Sequence, residues 1–281
     1  MQKYQTKKRF GQHFLHDQSI VQNIVSSIHP KPDDQIIEIG PGLGALTFPL
    51  LEKVNHLHLV EIDRDIIQRL REQQDPRITI HAIDALKFDT SSVNSPAHDE
   101  DNSHSSCSSH SSLRPLRIVG NLPYNISTPL IFHLLETSSS IQDMHFMLQK
   151  EVVDRMTAVP NTKVYGRLSV MVQYHCQTEN LFNVPPGAFR PPPKVDSAVI
   201  RLIPWENKPY QAKDEKMLSH LVNQAFMKRR KTIRNALKEL LTQEQIEQAG
   251  IDSGLRPENL QVGDFVKLSS LISVPVSKPA S

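Results

Sequence analysis

The sequence predicts an α/β fold, in which a doubly wound parallel sheet precedes a small all-helical domain. Two observations predict this class. In the first 204 residues, short apolar runs typical of buried strands alternate with segments of helical periodicity. After residue 213, short helical patterns follow one another and strand patterns are few. We therefore expect a sheet domain at 1–204, a linker at 205–213 and a helical domain at 214–281.

The first half of the chain supplies a leading helix and four strands. Asp17 is placed to cap a helix with an apolar face, and the prolines at 30 and 32 stop that helix. Apolar runs then predict buried strands at 36–39, 56–62, 78–83 and 117–120, with helical segments at 45–51 and 64–73 between them. The sequence therefore indicates four parallel strands that end at one edge of a sheet.

The rest of the chain completes the sheet and adds the helical domain. Helical patterns at 128–136, 151–156 and 168–176 alternate with strand patterns at 144–148 and 181–184. Prolines bracket a stiff loop at 185–193, and the alternating run 197–203 predicts a last strand that closes the sheet. In the helical domain, 217–241 is the most regular segment.

A Ser- and His-rich stretch interrupts the sheet domain at 91–112. It has almost no large apolar residues, so burial cannot compensate the entropy of ordering it, and we expect a disordered surface insertion without effect on activity. Possible metal ligands lie within it, but a flexible stretch makes a poor preorganised site, so we expect no bound metal. These residues are His98, His104, Cys107 and His110.

Composition excludes several classes of protein. No apolar run approaches the roughly 18 residues that cross a bilayer, and the basic start lacks the apolar stretch of a signal peptide, so we expect a cytoplasmic protein. The two cysteines, Cys107 and Cys176, cannot build a disulfide framework or a four-cysteine zinc site. The net charge of +2 is too small to indicate nucleic acid by itself.

Basic residues are nevertheless concentrated in two short segments. One segment lies at the N-terminus and the other at 228–238, and a solvated helix face is the ordinary explanation of such a run. Two runs in one chain favour a phosphate backbone as the partner. The candidate RNA contacts are Lys7, Lys8, Arg9, Lys228, Arg229, Arg230, Lys231 and Arg234.

Polar and glycine residues follow the four predicted strands. Gly40 and Gly42, with Gly44, would let the backbone approach a ligand and turn tightly into a helix. Glu61 suits the hydroxyls of a ribose, and Asp84 suits an adenine amino group. These residues predict a nucleoside site at the carboxyl edge of the sheet. Gly44 falls one position early for a dinucleotide fingerprint, so a nicotinamide cofactor stays open on the glycines alone.

The tetrapeptide 121–124 favours methylation of an amine on a planar ring. The Asn121 side chain and the Leu122 carbonyl are acceptors that can make an exocyclic amine more nucleophilic, and Pro123 stiffens the turn that holds them. Tyr124 offers a ring face to a base. An ordinary strand-ending turn is the alternative for four residues taken alone. A dehydrogenase gives no reason for this tetrapeptide, whereas an S-adenosylmethionine methyltransferase acting on adenine does.

Six blocks of sequence resemble the small-subunit (16S) ribosomal RNA adenine N6,N6-dimethyltransferases, the KsgA/RsmA group. The resemblance is in order and covers nearly the whole chain, and it implies a Rossmann-like S-adenosylmethionine-dependent methyltransferase fold. The blocks are Phe10-Gly11-Gln12-His13-Phe14-Leu15, Glu38-Ile39-Gly40-Pro41-Gly42-Leu43-Gly44, Glu61-Ile62-Asp63, Asp84-Ala85, Asn121-Leu122-Pro123-Tyr124-Asn125-Ile126-Ser127 and Pro191-Pro192-Pro193-Lys194-Val195-Asp196-Ser197.

The resemblance implies a role for several residues. His13 and Leu15 would close over S-adenosylmethionine, Gly40 would lie against its methionine part, and Glu61, Asp84 and Asn121 would hold the ribose, the adenine and the junction with the target. The implied substrate is a pair of adjacent adenosines in a hairpin near the 3′ end of small-subunit RNA, within a pre-30S particle, each methylated twice by a monomeric enzyme. We expect Tyr124 and Phe189 to sandwich the flipped base, although Phe189 could equally be a packing residue.

Two alternatives remain at this point. An enzyme of the same fold that methylates one adenosine in large-subunit RNA, as in antibiotic resistance, resembles the chain as far as the tetrapeptide. A binding protein that docks on immature small subunits as an assembly checkpoint is the alternative of another class. The intact pocket residues disfavour it as the sole role, and it stays open as a second one.

Overall fold

The structure is a computed structural model that describes residues 13–93, 115–123, 126–136 and 140–272. The described residues form two compact units, one within Met1–Lys150 and Glu179–Pro204 and the other within Glu151–Thr178 and Trp205–Ser281. The sequence placed all of 151–178 in the sheet domain. The segment instead belongs to the helical unit, because its second helix, Arg167–His175, packs against the helices Glu215–Met227 and Val262–Ser269.

The first unit is built on a seven-stranded sheet. The strands are β1 (Phe14–Leu15), β2 (Gln35–Ile39), β3 (Leu57–Glu61), β4 (Ile78–Ala82), β5 (Leu116–Asn121), β6 (Ile141–Gln149), β7 (Cys176–Val184), β8 (Phe189–Arg190) and β9 (Ser197–Pro204). The seven strands of the sheet lie in the order β4, β3, β2, β5, β6, β9 and β7, and each neighbouring pair from β4 to β6 is parallel, as predicted. β1 and β8 form a separate two-stranded sheet.

The last strand corrects two expectations. β9 runs antiparallel to β6, so the sheet is not wholly parallel, and β9 lies between β6 and β7, so it does not close the sheet. The residue pattern explains this order. The first four residues of β9 are all buried, which suits an interior strand. Four of the nine residues of β7 are exposed, which suits a strand at the edge of the sheet.

Helices cover the sheet and build the second unit. Asp17 caps α1 as predicted, because its carboxylate accepts from the backbone N–H groups of Ser19 and Ile20 at 2.9 and 3.2 Å. Among the described residues, no helix is long and apolar enough to cross a membrane. The helices are α1 (Gln18–Ile28), α2 (Thr47–Leu51), α3 (Arg64–Arg71), α4 (Ser127–Glu136), α5 (Lys150–Met156), α6 (Arg167–His175), α7 (Glu215–Met227), α8 (Ile233–Ala236), α9 (Gln243–Gln248) and α10 (Val262–Ser269).

A turn divides the segment 217–241, which was predicted to be the most regular part of the helical domain. α7 ends at Met227, and the chain turns before α8 begins at Ile233. The residues 228–231 therefore lie on a turn and not on a solvated helix face. Most of the predicted insertion, from residue 94 to 112, lies outside the described residues, and so does Cys107.

Candidate active site

The glycine turn after β2 has the backbone that the sequence indicates. Gly40, Gly42 and Gly44 all have positive φ, at 68°, 56° and 87°. A Cβ built on Gly42 would lie 3.1 Å from the ring of Phe14, which packs over the turn. A Cβ built on Gly40 would have the carbonyl oxygen of Asn121 as its neighbour, at 3.8 Å. The turn is therefore bordered on two sides by the N-terminal segment and by the end of β5.

Glu61 lies at the carboxyl end of β3 and is held by backbone. Its Oε1 accepts from the N–H groups of Ile62 and Asp63 at 2.8 and 2.9 Å, and the Gly42 N–H also donates to the carboxylate. Burial raises the pKa of Glu61, while these N–H groups act in the opposite direction. The carboxylate that was predicted to bind a ribose is thus fixed in position beside the glycine turn.

Asp84 follows β4 and begins a short helical turn. Its carboxylate accepts from the Leu86 N–H at 3.0 Å. Two apolar side chains next to the strand-end acids were not singled out from the sequence. Ile62 is 50% exposed and Ile83 is 37% exposed, so both leave apolar surface where a planar base could pack. The sequence placed Ile62 and Ile83 inside the strands predicted at 56–62 and 78–83, whereas in the structure each lies just beyond the end of its strand.

Asn121 lies at the end of β5 and contacts the N-terminal segment. Its Nδ2 donates to the backbone carbonyl of His13 at 3.1 Å. A carbonyl can only accept, so this bond fixes the amide with Nδ2 toward His13 and leaves Oδ1 as the acceptor on the other end. His13 is itself held, because its Nδ1 donates to the Pro191 carbonyl at 2.7 Å.

The pairing of β1 with β8 completes this arrangement. Phe14 lies opposite Arg190 and Leu15 opposite Phe189 in the antiparallel register. The His16 N–H donates to the Ala188 carbonyl at 2.9 Å. The proline-bracketed loop thereby holds the N-terminal strand, with Leu15 6% exposed, and the strand places the His13 carbonyl against Asn121.

The role predicted for Phe189 does not agree with the structure. The Phe189 side chain is 2% exposed and packs in the core with Leu15, Val184 and Val199. Pairing with β1 covers the loop, so the ring has no open face for a base in this arrangement. This burial favours the packing alternative, and the stacking role of Phe189 stays a prediction. Tyr124, the other ring of the expected sandwich, lies outside the described residues and stays a prediction.

The backbone before and after Asn121 is tightly constrained. A Cβ on Gly120 would lie 2.5 Å from the Ile39 carbonyl oxygen, so only glycine allows β5 to approach β2 this closely. Leu122 is 1% exposed and its N–H donates to the Met147 carbonyl at 3.2 Å. Pro123 accepts from the Ile126 N–H at 3.2 Å and continues the turn. Gly120 was missed because nothing in a lone strand glycine shows what lies opposite it.

Glu38 is a buried acid that the sequence did not single out as a site residue. It is 2% exposed at the end of β2, and the Thr47 hydroxyl donates to its Oε2 at 2.6 Å. Burial raises its pKa to about 7, opposed by the Thr47 hydrogen bond, and the charge of Glu61 adds to the rise. Glu38 thus links β2 to the start of α2 beneath the glycine turn.

The raised pKa of Glu38 predicts a pH dependence of stability. The folded pKa exceeds the unfolded value of 4.5, so the contribution is fully present below about pH 4.5 and is lost as pH rises through about 7. At about 1.4 kcal/mol per pH unit, the loss is on the order of 3 kcal/mol. We expect Glu38→Gln to flatten the free energy of unfolding between pH 5 and 8, measured by urea denaturation.

Comparing the Glu38→Gln variant with the unaltered protein separates the contribution of Glu38 to the pH dependence of stability from that of the buried histidines. Burial lowers the pKa values of His58 and His145 to about 4, so these groups destabilise the fold as pH falls, in both proteins alike. Parallel pH profiles of the variant and the unaltered protein would contradict the assignment.

The predicted RNA-contacting residues of the helical unit are not equivalent. Lys228 pairs with Glu239 at 3.0 Å, and Arg229 pairs with Glu258 at 2.6 Å. Arg234 donates to the Gln243 amide at 3.3 Å, and Arg230 and Lys231 are exposed. Lys7, Lys8 and Arg9 lie outside the described residues.

Among the described residues, no group of three or more His, Cys, Asp and Glu side chains could hold a metal.

Comparison with known proteins places this geometry in context. Residues 3–273 match the family model described as "Ribosomal RNA adenine dimethylase". "Ribosomal RNA small subunit methyltransferase A" of Alcanivorax borkumensis is 54% identical over 98% of this chain and 93% of that protein. The protein of the same name from Chromobacterium violaceum is 55% identical over 96% of this chain and 97% of its own length.

Two solved structures share the fold. A dimethyladenosine transferase from Plasmodium falciparum has a TM-score of 0.71 at 25% identity and covers 91% of this chain and 96% of its own. The 23S rRNA methyltransferase ErmE has a TM-score of 0.68 at 23% identity, covers 91% of this chain and 98% of its own, and shows the fold alone.

Proposed function

Because the chain belongs to the ribosomal RNA adenine dimethylase family, we propose that it methylates N6 of two adjacent adenosines near the 3′ end of small-subunit rRNA. The protein is an S-adenosylmethionine-dependent enzyme, and the proposal gives each adenosine two methyl groups. The observation that carries the proposal is the orientation of Asn121. Its acceptor Oδ1 is set by the bond from Nδ2 to His13, beside the glycine turn.

The residues at the strand ends fit S-adenosylmethionine. Gly40 has an open side and a backbone that only glycine adopts easily, so a ligand can approach the turn closely. Glu61 offers a fixed carboxylate to ribose hydroxyls, and Asp84 offers one to an adenine amino group. His13, Leu15 and Gly42 would border the ligand. These assignments are proposals, and Ile62 and Ile83 join them as apolar faces for the adenine.

The chemistry assigned to the chain's own residues is orientation and polarisation of the target amine. S-adenosylmethionine, when bound, supplies an electrophilic methyl group. The Asn121 Oδ1 and the Leu122 carbonyl accept hydrogen bonds from N6, which withdraws its lone pair from the ring and favours attack. Pro123 holds the Leu122 carbonyl in place, and Tyr124 stacks on the target base. The covering N-terminal strand excludes water from the junction.

The substrate in the cell is proposed to be the small-subunit rRNA within a pre-30S particle, bound by one copy of the enzyme. A nucleoside-sized substrate would not require the basic turn of the helical unit. Binding of RNA by this turn would also let the protein act as an assembly checkpoint, because the protein would bind particles that have not yet been methylated.

Mass spectrometry of ribosomal RNA tests the proposal. Undermethylated small subunits are incubated with the protein and S-adenosylmethionine, and their RNA is digested and analysed. We expect N6,N6-dimethyladenosine at two adjacent positions near the 3′ end. Methylation of large-subunit RNA instead, or methylation of neither RNA, would overturn the proposal.

The exposed cations of the turn are expected to set RNA affinity by neutralising phosphates. Replacing Arg230 and Lys231 by Gln should weaken RNA binding and lower the salt slope of log K by about one for each phosphate that is no longer neutralised. Filter binding between 50 and 200 mM salt measures both quantities. The salt slope of the double variant should differ from that of the unaltered protein, and identical slopes would show that these cations do not contact phosphate.

A further inference from the structure

The helical unit brings together two segments that lie far apart in sequence. The 157–166 loop connects α5 to α6, and the 228–231 turn follows α7. The Arg229 Nη2 donates to the Thr162 carbonyl at 3.2 Å, and the Tyr165 and Phe226 rings meet edge to face with centroids 6.1 Å apart. The loop and the end of α7 therefore adjoin each other within this unit.

The 157–166 loop is fixed in its conformation by a third segment. The Asn161 N–H donates to the Glu258 carbonyl at 2.8 Å, and the Asn259 Nδ2 donates to the Asn161 Oδ1 at 2.7 Å. Asn161 has a φ of 71°, a conformation that these two bonds hold. Tyr165 is fully buried and anchors the far end of the loop. The loop is thus preorganised and does not need to be ordered by a partner.

The surface at this junction combines cations with exposed apolar side chains. Met227 is 71% exposed and Val164 is 44% exposed. Arg167 donates only to the neutral Asn223 amide, at 3.3 Å. Among the described residues, Lys163, Arg230 and Lys231 have no ion pair, whereas Lys228 and Arg229 are paired with acids. We call the following set the loop–turn surface: Lys163, Val164, Arg167, Met227, Arg230 and Lys231.

We propose that the loop–turn surface docks an irregular, partly unpaired segment of RNA, and that Arg229 positions the surface without contacting RNA. The proposal rests on the proposed function, in which RNA is the substrate, and it adds the 157–166 loop to the RNA contact. Cations without carboxylate partners complement phosphates, and exposed apolar side chains among them complement the faces of unstacked bases. Glu258, the acid at the junction, is already paired with Arg229.

The positioning role of Arg229 follows from its partners. Its guanidinium donates to the Glu258 carboxylate through Nε and to the Thr162 carbonyl through Nη2. Because the guanidinium is planar and carries several N–H donors, these bonds connect the 157–166 loop, the turn after α7 and the segment that contains Glu258. Removing the Glu258 charge would weaken its bond to the Arg229 guanidinium and loosen the 157–166 loop, although the protein would gain positive charge.

The loop cations are tested by charge neutralisation. The double variant Lys163→Gln, Arg167→Gln is expected to weaken RNA binding by at least fivefold and to lower the salt slope. The control is Lys216→Gln, because Lys216 lies at the other end of α7, about 16 Å along the helix from Met227. Equal affinity and salt slope in the double variant and the control would overturn the proposed RNA contact of the loop.

The positioning role of Arg229 is tested by a variant for which charge alone and the proposal predict opposite changes in RNA affinity. Glu258→Gln removes a negative charge, so unaided charge attraction predicts tighter RNA binding, whereas loss of the positioned loop predicts binding at least threefold weaker. The control is Glu239→Gln, which makes the same charge change and frees Lys228 in the turn without touching the loop. The Glu239→Gln variant should bind RNA as tightly as the unaltered protein, or more tightly.

The outcomes separate this inference from the proposed function. Circular dichroism and the melting temperature must show that each variant is folded. Tighter binding by Glu258→Gln would overturn the positioning role of Arg229, while the unaltered protein could still methylate small-subunit RNA. If the unaltered protein bound no RNA and methylated none, the proposed function itself would fail.

Discussion

Replacement of Asn121 by Ala is expected to lower the rate constant of methyl transfer by roughly 100-fold or more while the affinity for RNA stays unchanged. The substitution removes the acceptor Oδ1 that we propose polarises N6, and it removes the Nδ2 that donates to the His13 carbonyl. Loss of one preorganised polar group at a reacting centre typically costs about 10²–10³ in rate. Single-turnover transfer of a labelled methyl group to small-subunit RNA measures the rate, and filter binding measures the affinity.

A second variant separates polarisation from positioning. His13→Ala removes the imidazole bond to the Pro191 carbonyl but keeps the His13 backbone carbonyl that Asn121 contacts. We expect a smaller loss than for Asn121→Ala, because the acceptor remains and only its support is weakened. Near-normal transfer by the Asn121 variant, with both variants folded, would show that Asn121 does not polarise the amine.

Replacement of Arg117 by Met is expected to lower the free energy of unfolding by about 3–5 kcal/mol. Arg117 is 6% exposed on β5, and its guanidinium binds Asp143 with two hydrogen bonds and Asp34 with one, at 2.7–3.0 Å. It also donates to the carbonyls of Ile28 and His29 at the end of α1. Met would fill much of the volume but leave two carboxylates and these carbonyls without their donor. Urea denaturation followed by circular dichroism measures the change.

An exposed ion pair supplies the control for this prediction. Arg155 lies 4.0 Å from Glu151 on one face of a helix, with its side chain 47% exposed. Arg155→Met should cost less than about 1 kcal/mol, because water screens the pair in both states. A loss for Arg117→Met as small as that of the control would mean that the buried network contributes little to stability.

The strand ends were predictable because their chemistry is local. Each of Gly40, Glu61, Asp84 and Asn121 follows an apolar run, and parallel pairing brings the ends of such runs to one edge. The structure bears out that placement. The identity of the bound group came from the family resemblance and not from the glycines, whose spacing left a nicotinamide cofactor open.

The burial of Phe189 and the ion pair of Arg229 have a common cause. Phe189 was predicted to stack on a base, but the pairing of its strand with β1, which lies near the start of the chain, buries it. Arg229 was predicted to contact RNA, and its guanidinium donates to Glu258 and to the Thr162 carbonyl. In both cases the residue type was suited to the predicted role. The partner that took the side chain is far away in sequence and carries no local signal.

The order of the main strands and helices along the chain, the glycine turn, the acids at the strand ends and the family membership could all be predicted from the sequence. These follow from periodicity, turn chemistry and short motifs, which act over a few neighbouring residues. The three-dimensional structure was needed to see which end of the Asn121 amide faces the site and which of the described cations remain unpaired. Those features depend on contacts across 108 residues for Asn121 and His13 and 178 for His13 and Pro191, and packing of the whole chain selects such contacts.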